Sequence, residues 1–262
     1  MTTTALITGA SSGIGAVYAD RLARRGYNLI LTGRDGAKLS ALAARLEAST
    51  GRKVDTIAAD LALTADLRRV EERLASDTSI SMLVNNAGLG AVKSLVDSTP
   101  EELDALINVN VTALTRLTRA VAPGLVARGG GAIINISSIV ALKPELLNGV
   151  YGGSKAFVLA LTQSLHHELG DKGVQVQAVL PGATATQFWD RAGHAVENLP
   201  PSWVMTAEDL VDAALAGFDQ RELVTVPPLP ELDDFNRMEE ARHAMADKLS
   251  NTKPAARYLT VA

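Results

Sequence analysis

The feature that most constrains the fold is an alternation of short apolar runs with longer helical patterns. Several of these runs are nearly continuous in apolar residues, as expected for strands that helices cover on both faces. The predicted strands are Ala5–Thr8, Asn28–Thr32, Val54–Ala59, Met82–Asn85, Ala132–Ser137, Val174–Leu180 and Leu223–Val226. Strand followed by helix, repeated along a chain, implies right-handed crossovers between parallel strands. We therefore predict an α/β fold: a Rossmann-like, doubly wound parallel sheet of seven strands with helices on both faces.

The helical stretches determine the predicted domain organisation. The clearest are Gly15–Arg25, Ala37–Ala48, Ala65–Ala75, Pro100–Ala127 and Val150–Leu169. No repeat or low-complexity linker separates them, and the Pro-rich turn at 227–230 precedes one amphipathic stretch, Glu231–Lys248, too small to be a domain. We predict a single domain over residues 1–262 with a C-terminal helical extension over about 231–262.

Composition and charge argue against several classes of function. A net charge of −4 argues against nucleic-acid or anionic-membrane partners. The absence of cysteine excludes disulfides, thiolate nucleophiles and cysteine-ligated metals, and the four histidines have no partners at ligand spacing, so no metal is expected. No window approaches the roughly 20 apolar residues that span a bilayer, and the N-terminus shows no secretory pattern. A cytoplasmic enzyme or binding protein is expected.

A glycine-rich turn, Thr8–Gly15, joins the first strand to a helix. Glycines let the backbone approach a pyrophosphate, and the helix N-terminus offers free N–H groups and a favourable dipole. Ser11 and Ser12 add hydroxyl donors. The spacing is Gly-x-x-x-Gly-x-Gly rather than the commoner Gly-x-Gly-x-x-Gly, and such a turn can also be purely structural. Its place after the first strand of a βαβ unit favours dinucleotide binding.

The end of the second strand bears on the choice of cofactor. An acidic residue there would bind the ribose 2′-hydroxyl of NAD, whereas an arginine would bind the 2′-phosphate of NADP. This strand ends at Gly33, and Arg34 and Asp35 follow. Arginine suits a phosphate because it stays charged and donates in a fork. NADP is favoured, although Arg34 could instead pair with Asp35 as a solvated loop residue, and Asp35 could serve the 2′-hydroxyl of NAD.

Tyr151 and Lys155 lie one turn apart on a helix that follows the fifth strand. The ordinary tyrosine pKa of about 10 is too high for proton transfer near neutrality, and a nearby ammonium lowers it. Such a pair alone is commonly a surface feature. Here, however, Ser138 follows the fifth strand and Asn85–Gly88 ends the fourth, at the sheet edge where open α/β sheets bind ligands.

Together these motifs resemble one family. Thr8-Gly-x-x-x-Gly-x-Gly15, Asp60-Leu61, Asn85-Asn-Ala-Gly88, Asn110, Ser138, Tyr151-x-x-x-Lys155 and Pro181-Gly182 occur in the order and spacing of the classical short-chain dehydrogenase/reductase family, over residues 4 to about 190. The resemblance implies hydride transfer between a nicotinamide cofactor and a small carbonyl or alcohol substrate. Ser138 would bind the substrate oxygen and Tyr151 would transfer the proton. Lys155 would lower the Tyr151 pKa and hold the nicotinamide ribose, while Asn110 would anchor a relay water.

The resemblance also implies the cofactor-binding residues. They are Gly9, Ser11, Ser12, Gly13, Ile14, Gly15, Arg34, Asp60, Leu61, Asn86, Ala87, Gly88, Tyr151, Lys155, Pro181, Gly182, Thr184 and Thr186. Asp60 would contact the adenine, 86–88 would line the adenosine side, and the segment from Pro181 would position the carboxamide. Arg34 matches the NADP-preferring subgroup. Members of that subgroup often carry a second basic residue where this chain has Ser12, so dual specificity stays open.

In the resembled family, residues equivalent to about 187–206 form a lid over the substrate. Phe188, Trp189, Trp203 and Met205 fall in this stretch, which favours an apolar substrate but fits simple packing equally well. The long helices Pro100–Ala127 and Val150–Leu169 resemble those that build dimers and tetramers, so a homodimer or homotetramer is expected. The alternatives are an NAD-preferring alcohol dehydrogenase and a catalytically silent NADP-binding regulator.

Overall fold

One parallel sheet organises the chain. A computed structural model describes residues 3–193 and 195–259, and within them seven strands follow the order β3-β2-β1-β4-β5-β6-β7. The strands are β1 Thr4–Thr8, β2 Asn28–Gly33, β3 Val54–Ala58, β4 Ile80–Asn85, β5 Gly131–Ile136, β6 Val174–Val179 and β7 Val224–Thr225. The order reverses between β1 and β4, and this reversal opens a crevice at the carboxyl ends of both strands. The predicted fold class is confirmed.

Helices cover both faces of the sheet. They are α1 Gly13–Arg24, α2 Gly36–Thr50, α3 Thr64–Ser76, α4 Pro100–Ile107, α5 Leu114–Ala127, α6 Gly149–Leu169, α7 Phe188–Ala192 and α8 Ala207–Asp219. Successive strand residues enter opposite cores: Ile7 packs in the core that includes α1, α2 and α8, whereas Leu6 packs in the core that includes α3, α5 and α6. This alternation follows from the two-residue period of a strand and explains the continuous apolar runs.

The sequence predicts one helix over Pro100–Ala127, and this prediction is wrong in its middle. A π-helical segment, Asn108–Ala113, separates α4 from α5. A π turn holds one more residue than an α turn, so it changes the direction in which its side chains point, and such turns are common at functional sites. Here it contains Asn110, whose side chain is almost fully buried.

The chain divides into two compact units at Pro228–Leu229, close to the predicted start of the C-terminal extension. The second unit contains α9 Leu232–His243 and two 3₁₀ turns, Ala246–Lys248 and Ala256–Tyr258. Its helix is therefore shorter than the predicted Glu231–Lys248. His194 of the predicted lid and 260–262 of the predicted extension lie outside the described residues. Among the described helices, none has the length and apolarity that a bilayer crossing needs.

Candidate active site

A cavity of about 1140 Å³ lies at the carboxyl edge of the sheet. It brings together nearly all the site residues predicted from the sequence. Those lining it are Gly9, Ser11, Ser12, Gly13, Ile14, Arg34, Asp60, Leu61, Asn86, Ala87, Gly88, Ser138, Tyr151, Lys155, Pro181, Gly182, Thr184 and Thr186. Gly15 and Asn110 are the exceptions, because both are buried behind the cavity wall. Their contacts show that they shape the wall.

The glycine-rich turn between β1 and α1 is tightly packed. Gly9 has φ +65°, which disfavours side chains, and an added Cβ would lie 2.9 Å from the Ala87 Cα. At Gly15 an added Cβ would lie 2.5 Å from both the Gly9 carbonyl oxygen and the Asn86 Nδ2. The Asn86 amide donates to the Thr8 and Gly9 carbonyl oxygens at 2.8 and 3.2 Å. Gly15 thus lets the loop after β4 brace the turn from behind.

Thr8 is a positioning residue that the predicted site omitted. Its hydroxyl oxygen accepts hydrogen bonds from the backbone N–H groups of Asn86 and Ala87, each at 2.9 Å. The same hydroxyl donates to the Val84 carbonyl at 3.4 Å. These bonds join the ends of β1 and β4 across the crevice. The sequence did carry a signal for this role: a threonine ends the first strand, and the fourth strand ends in an Asn-Asn-Ala-Gly loop.

Three charged side chains from the segment after β2 line the cavity: Arg34, Asp35 and Lys38. The Asp35 carboxylate caps α2 by accepting from the Lys38 backbone N–H at 3.0 Å, and it faces the Lys38 Nζ at 3.8 Å. Arg34 is exposed and has no hydrogen bond or ion pair with any residue in the described part of the chain. The structure therefore pairs Asp35 with Lys38 rather than with Arg34. Lys38, absent from the predicted site, adds a second cation.

The N-terminus of α6 fixes Tyr151. The Asn148 side chain accepts hydrogen bonds from the backbone N–H groups of Val150 and Tyr151 at 2.9 and 3.2 Å. Its amide donates to the Lys93 carbonyl at 2.7 Å, so the cap is itself held by the loop that follows β4. One turn further along α6, the Lys155 Nζ donates to the Ile136 carbonyl at 2.9 Å and lies 5.9 Å from the centre of the Tyr151 ring.

Burial dominates the ionisation of this pair. It raises the pKa of Tyr151 to about 12, although the neighbouring Ser138 hydroxyl offsets part of the rise. Burial also lowers the pKa of Lys155 from 10.5 to about 8. Desolvation of a phenol that is only 4% exposed thus sets the direction of the Tyr151 pKa shift. That Lys155 lowers the Tyr151 pKa stays a prediction.

The Lys155 pKa leads to a testable dependence of stability on pH. Between pH 8 and 10.5 the unfolded chain binds a proton at Lys155 that the folded chain lacks, so the free energy of unfolding rises with pH. Below pH 8 both states are protonated and the full cost of burying the ammonium, about 3 kcal/mol, is present. We expect Lys155→Met to abolish this rise, measured by urea unfolding at several pH values in this window. Equal slopes in both proteins would contradict the assignment.

Asn110 supports the cavity wall from behind. Its side-chain oxygen accepts from the Leu89 backbone N–H at 2.8 Å, and its amide donates to the Leu89 carbonyl at 2.9 Å and the Ser154 hydroxyl at 3.0 Å. An added Cβ at Gly88 would lie 3.3 Å from the Asn110 Oδ1 and 3.4 Å from the Lys155 Nζ. Asn110 thus joins the loop after β4 to α6, beside Lys155. The water-anchoring role stays a prediction.

Apolar side chains dominate the remaining wall of the cavity, which also includes the polar residues Gln187 and Ser202. The lining residues on this side are Leu89, Val92, Val109, Val140, Leu146, Leu147, Phe188, Trp189, Leu199 and Trp203. The predicted lid begins and ends at adjacent points, because Thr184 and Met205 form a parallel β-bridge. Trp189 is nearly buried and its indole donates to the Thr184 carbonyl at 3.0 Å. Trp203 is 69% exposed.

Fold and site together define an oxidoreductase of the dinucleotide-binding Rossmann class. A family model described as "short chain dehydrogenase" matches residues 3–197. The chain belongs to the short-chain dehydrogenase family, as its sequence motifs predicted.

Solved structures extend the likeness over nearly the whole chain. A short-chain dehydrogenase from Sphingobium yanoikuyae in complex with NADPH is 50% identical, covers 98% of this chain and 100% of its own, and superposes with a TM-score of 0.96. A "bulky-bulky ketone specific alcohol dehydrogenase" from Comamonas testosteroni is 47% identical over 98% of this chain and 99% of its own, with a TM-score of 0.91.

Curated relatives match a shorter stretch. Human 17-beta-hydroxysteroid dehydrogenase type 3 is 39% identical over 184 residues, which are 70% of this chain and 59% of that protein. The mouse very-long-chain 3-oxoacyl-CoA reductase is 36% identical and is likewise matched over 60% of its length. This chain therefore spans about 60% of the length of these relatives.

Proposed function

We propose that this protein is an NADP(H)-dependent carbonyl reductase for apolar ketones, with Tyr151 as the acid/base group. The observation that carries the proposal is the continuity of one cavity. A phosphate-type turn and a free arginine lie at one end, a buried tyrosine–lysine–serine group lies in the middle, and an apolar wall completes it. The NADPH complex and the ketone-specific dehydrogenase among the similar structures support the same cofactor and reaction.

The residues present fit a bound NADP(H). Gly9, Ser12 and Gly13 line the cavity where α1 begins, and the backbone N–H groups of a helix start suit a pyrophosphate. Arg34 and Lys38 would hold the 2′-phosphate, since both are cationic and line the adenosine end. Asp60, Leu61 and 86–88 would line the adenine and its ribose. Lys155 and the 181–186 segment would hold the nicotinamide half.

The positions of the residues in the middle of the cavity give each of them a role in proton transfer. The cofactor supplies the hydride when it is bound. Tyr151 donates its hydroxyl proton to the substrate oxygen, and Ser138 donates a second hydrogen bond to the same oxygen. The Lys155 ammonium stabilises the phenolate that remains, because an opposite charge favours the ionised form. Asn110 keeps the Gly88–Leu89 backbone in place beside Lys155.

The protonation state of Tyr151 suits donation of a proton to a carbonyl oxygen. With a pKa raised to about 12 by burial, the phenol is protonated near neutrality and is ready to give its proton. Alcohol oxidation would need the phenolate instead, which burial disfavours.

The single domain over 1–262, its location in the cytoplasm and its assembly into a homodimer or homotetramer stay predictions. Phe157 on α6, 38% exposed, is one apolar residue that such an assembly would cover.

The substrate class follows from the wall opposite the cofactor side. Leucine, valine, phenylalanine and tryptophan side chains dominate it. No lysine or arginine among the described residues lines the lid part of the cavity, so a carboxylate or phosphate on the substrate would find no ion pair there. An uncharged apolar ketone fits this environment.

The test is an NADPH-consumption screen with NADH in parallel. The panel contains small ketones, aldehydes, diaryl ketones, diketones, steroid ketones and 3-oxoacyl thioesters. We expect turnover of uncharged apolar ketones with NADPH and much slower turnover with NADH. Tight NADPH binding without turnover of any carbonyl would identify a silent regulator and overturn the proposal. Faster turnover with NADH would identify an NAD-preferring alcohol dehydrogenase, and equal rates would show dual specificity.

A further inference from the structure

Phe188, the first residue of α7, lies against the catalytic tyrosine. The centres of the Phe188 and Tyr151 rings are 6.0 Å apart and the rings are tilted by 46°. On its other side Phe188 meets Trp189 edge-on, with ring centres also 6.0 Å apart. Both separations fall in the range where aromatic pairs attract each other beyond simple burial. The start of the lid is therefore held at the acid/base group.

The space for this ring exists because residue 90 is glycine. A Cβ added to Gly90 would lie 2.2 Å from the Phe188 Cζ, and 2.7 and 2.9 Å from its two Cε atoms. The tip of the ring thus rests directly on the Gly90 backbone. Gly90 is not in the left-handed region that favours glycine, so its backbone would accept alanine. The three atoms nearest to the added Cβ all belong to the Phe188 ring.

Phe188 also belongs to a small apolar cluster at the reacting end of the cavity. Tyr151, Val140 and Leu106 form its buried centre, and Leu89, Leu147 and Phe188 pack on it. At the other end of α7, a Cβ on Gly193 would lie 3.9 Å from the Val92 Cγ2. Both ends of α7 therefore approach the 90–92 segment. Gly90, Phe188, Tyr151 and Ser138 all line the same cavity.

We infer that Phe188, held in place by Gly90, is a specificity-determining and positioning residue for the reduction. Its ring forms the apolar face on which the larger group of the ketone packs, and the same ring fixes the Tyr151 ring beside the substrate oxygen. Binding of a bulky apolar substrate and correct placement of the proton donor then depend on one contact. This inference rests on the proposed function and names the residue pair that selects its substrate class.

The first experiment compares two ketones, benzophenone and 2-butanone, with NADPH at saturation. Phe188→Ala should lower kcat/KM for benzophenone about 10-fold or more relative to 2-butanone, because the lost apolar contact serves the larger substrate. Phe188→Leu should restore part of the loss. An unchanged ratio of the two kcat/KM values would overturn the inference, since Phe188 would then not contact the larger substrate. A ratio that shifts towards benzophenone would also overturn it, since Phe188 would then hinder that substrate.

The second experiment is a double-mutant cycle. Gly90→Ala should cause a loss similar to that of Phe188→Ala, because the new methyl displaces the ring. In the Phe188→Ala background, Gly90→Ala should add no further loss, since the clash is gone. Additive losses would show that Gly90 acts independently and would overturn the pairing. Gly153→Ala is the matched control: its added Cβ would point into open space beside α6, and the ketone ratio should not change.

Two readouts separate this inference from the proposed function and from a purely structural effect. If the wild-type protein reduces no ketone, the proposed function fails. If the wild-type protein reduces ketones but the losses from Gly90→Ala and Phe188→Ala are additive, only this inference fails. The NADPH Kd and the Tm should stay at wild-type values in Phe188→Leu while the ketone ratio changes. A change in Tm with no change in that ratio would assign Phe188 to packing alone and overturn its role in specificity.

Discussion

Tyr151→Phe is expected to lower the turnover of every ketone substrate by about 1,000-fold. The substitution removes one oxygen atom from a side chain that is 4% exposed, and it leaves the ring and its contact with Phe188 in place. Only the hydroxyl group that we propose as the proton donor is lost. Saturation with NADPH should not rescue the rate, although the variant should still bind NADPH in a fluorescence titration.

A second buried tyrosine provides the control. Tyr18 on α1 is fully buried, and its hydroxyl has no hydrogen-bond partner among the described residues. Tyr18→Phe should therefore keep full activity and be neutral or slightly stabilising, because it removes an unsatisfied polar group. Comparison of the two variants separates the loss of a catalytic proton from the loss of any buried hydroxyl. Wild-type rates of Tyr151→Phe with a reactive diketone would refute the mechanism.

The parts of the site that the sequence predicted are those specified by local chemistry. The turn after β1 needs glycine for its own backbone, and Tyr151 and Lys155 share a helix face through their spacing alone. The parallel order of the strands then brings both to one sheet edge. Alternation of strand and helix was sufficient to predict that the strands are parallel, because a helix between two strands of one sheet forms a crossover connection.

The parts that the sequence did not predict depend on contacts between distant segments. The π segment holding Asn110 is recognisable only once the Leu89 backbone and Ser154 are beside it. The upward direction of the Tyr151 pKa shift comes from burial, which is a property of the whole fold. The Phe188–Gly90 contact joins lid and loop, and a lone glycine in a loop gives no indication of the ring that rests on it.

Lys38 shows the same limit at the cofactor end. It occupies the first turn of α2, where sequence alone suggests a solvated helix residue. The fold brings it to the cavity beside Arg34, and Asp35 holds its ammonium at 3.8 Å while capping the helix. The Asp35 carboxylate, which could otherwise bind the ribose of NAD, is thus already paired with the backbone N–H and the ammonium of Lys38. Two positive charges then face the place where a 2′-phosphate would lie.

Arg34→Ala should consequently weaken NADPH about 10- to 100-fold, the cost of losing charge-assisted hydrogen bonds, with little effect on NADH. Lys38→Ala should weaken NADPH less, because part of its charge is neutralised by Asp35. Affinities for both cofactors are measured by fluorescence titration. Arg68→Ala is the control, since Arg68 is exposed on α3 and does not line the cavity.

Salt provides an independent check of the same charges. Exposed ion pairs are screened at high ionic strength, so NADPH affinity of the wild-type protein should fall with added salt while NADH affinity changes less. In Arg34→Ala this difference should shrink, because one of the two screened contacts is gone. If Arg34→Ala weakened both cofactors equally, or left the salt dependence of NADPH unchanged, Arg34 would not contact the 2′-phosphate. The preference for NADP(H) would then need another origin within the cavity.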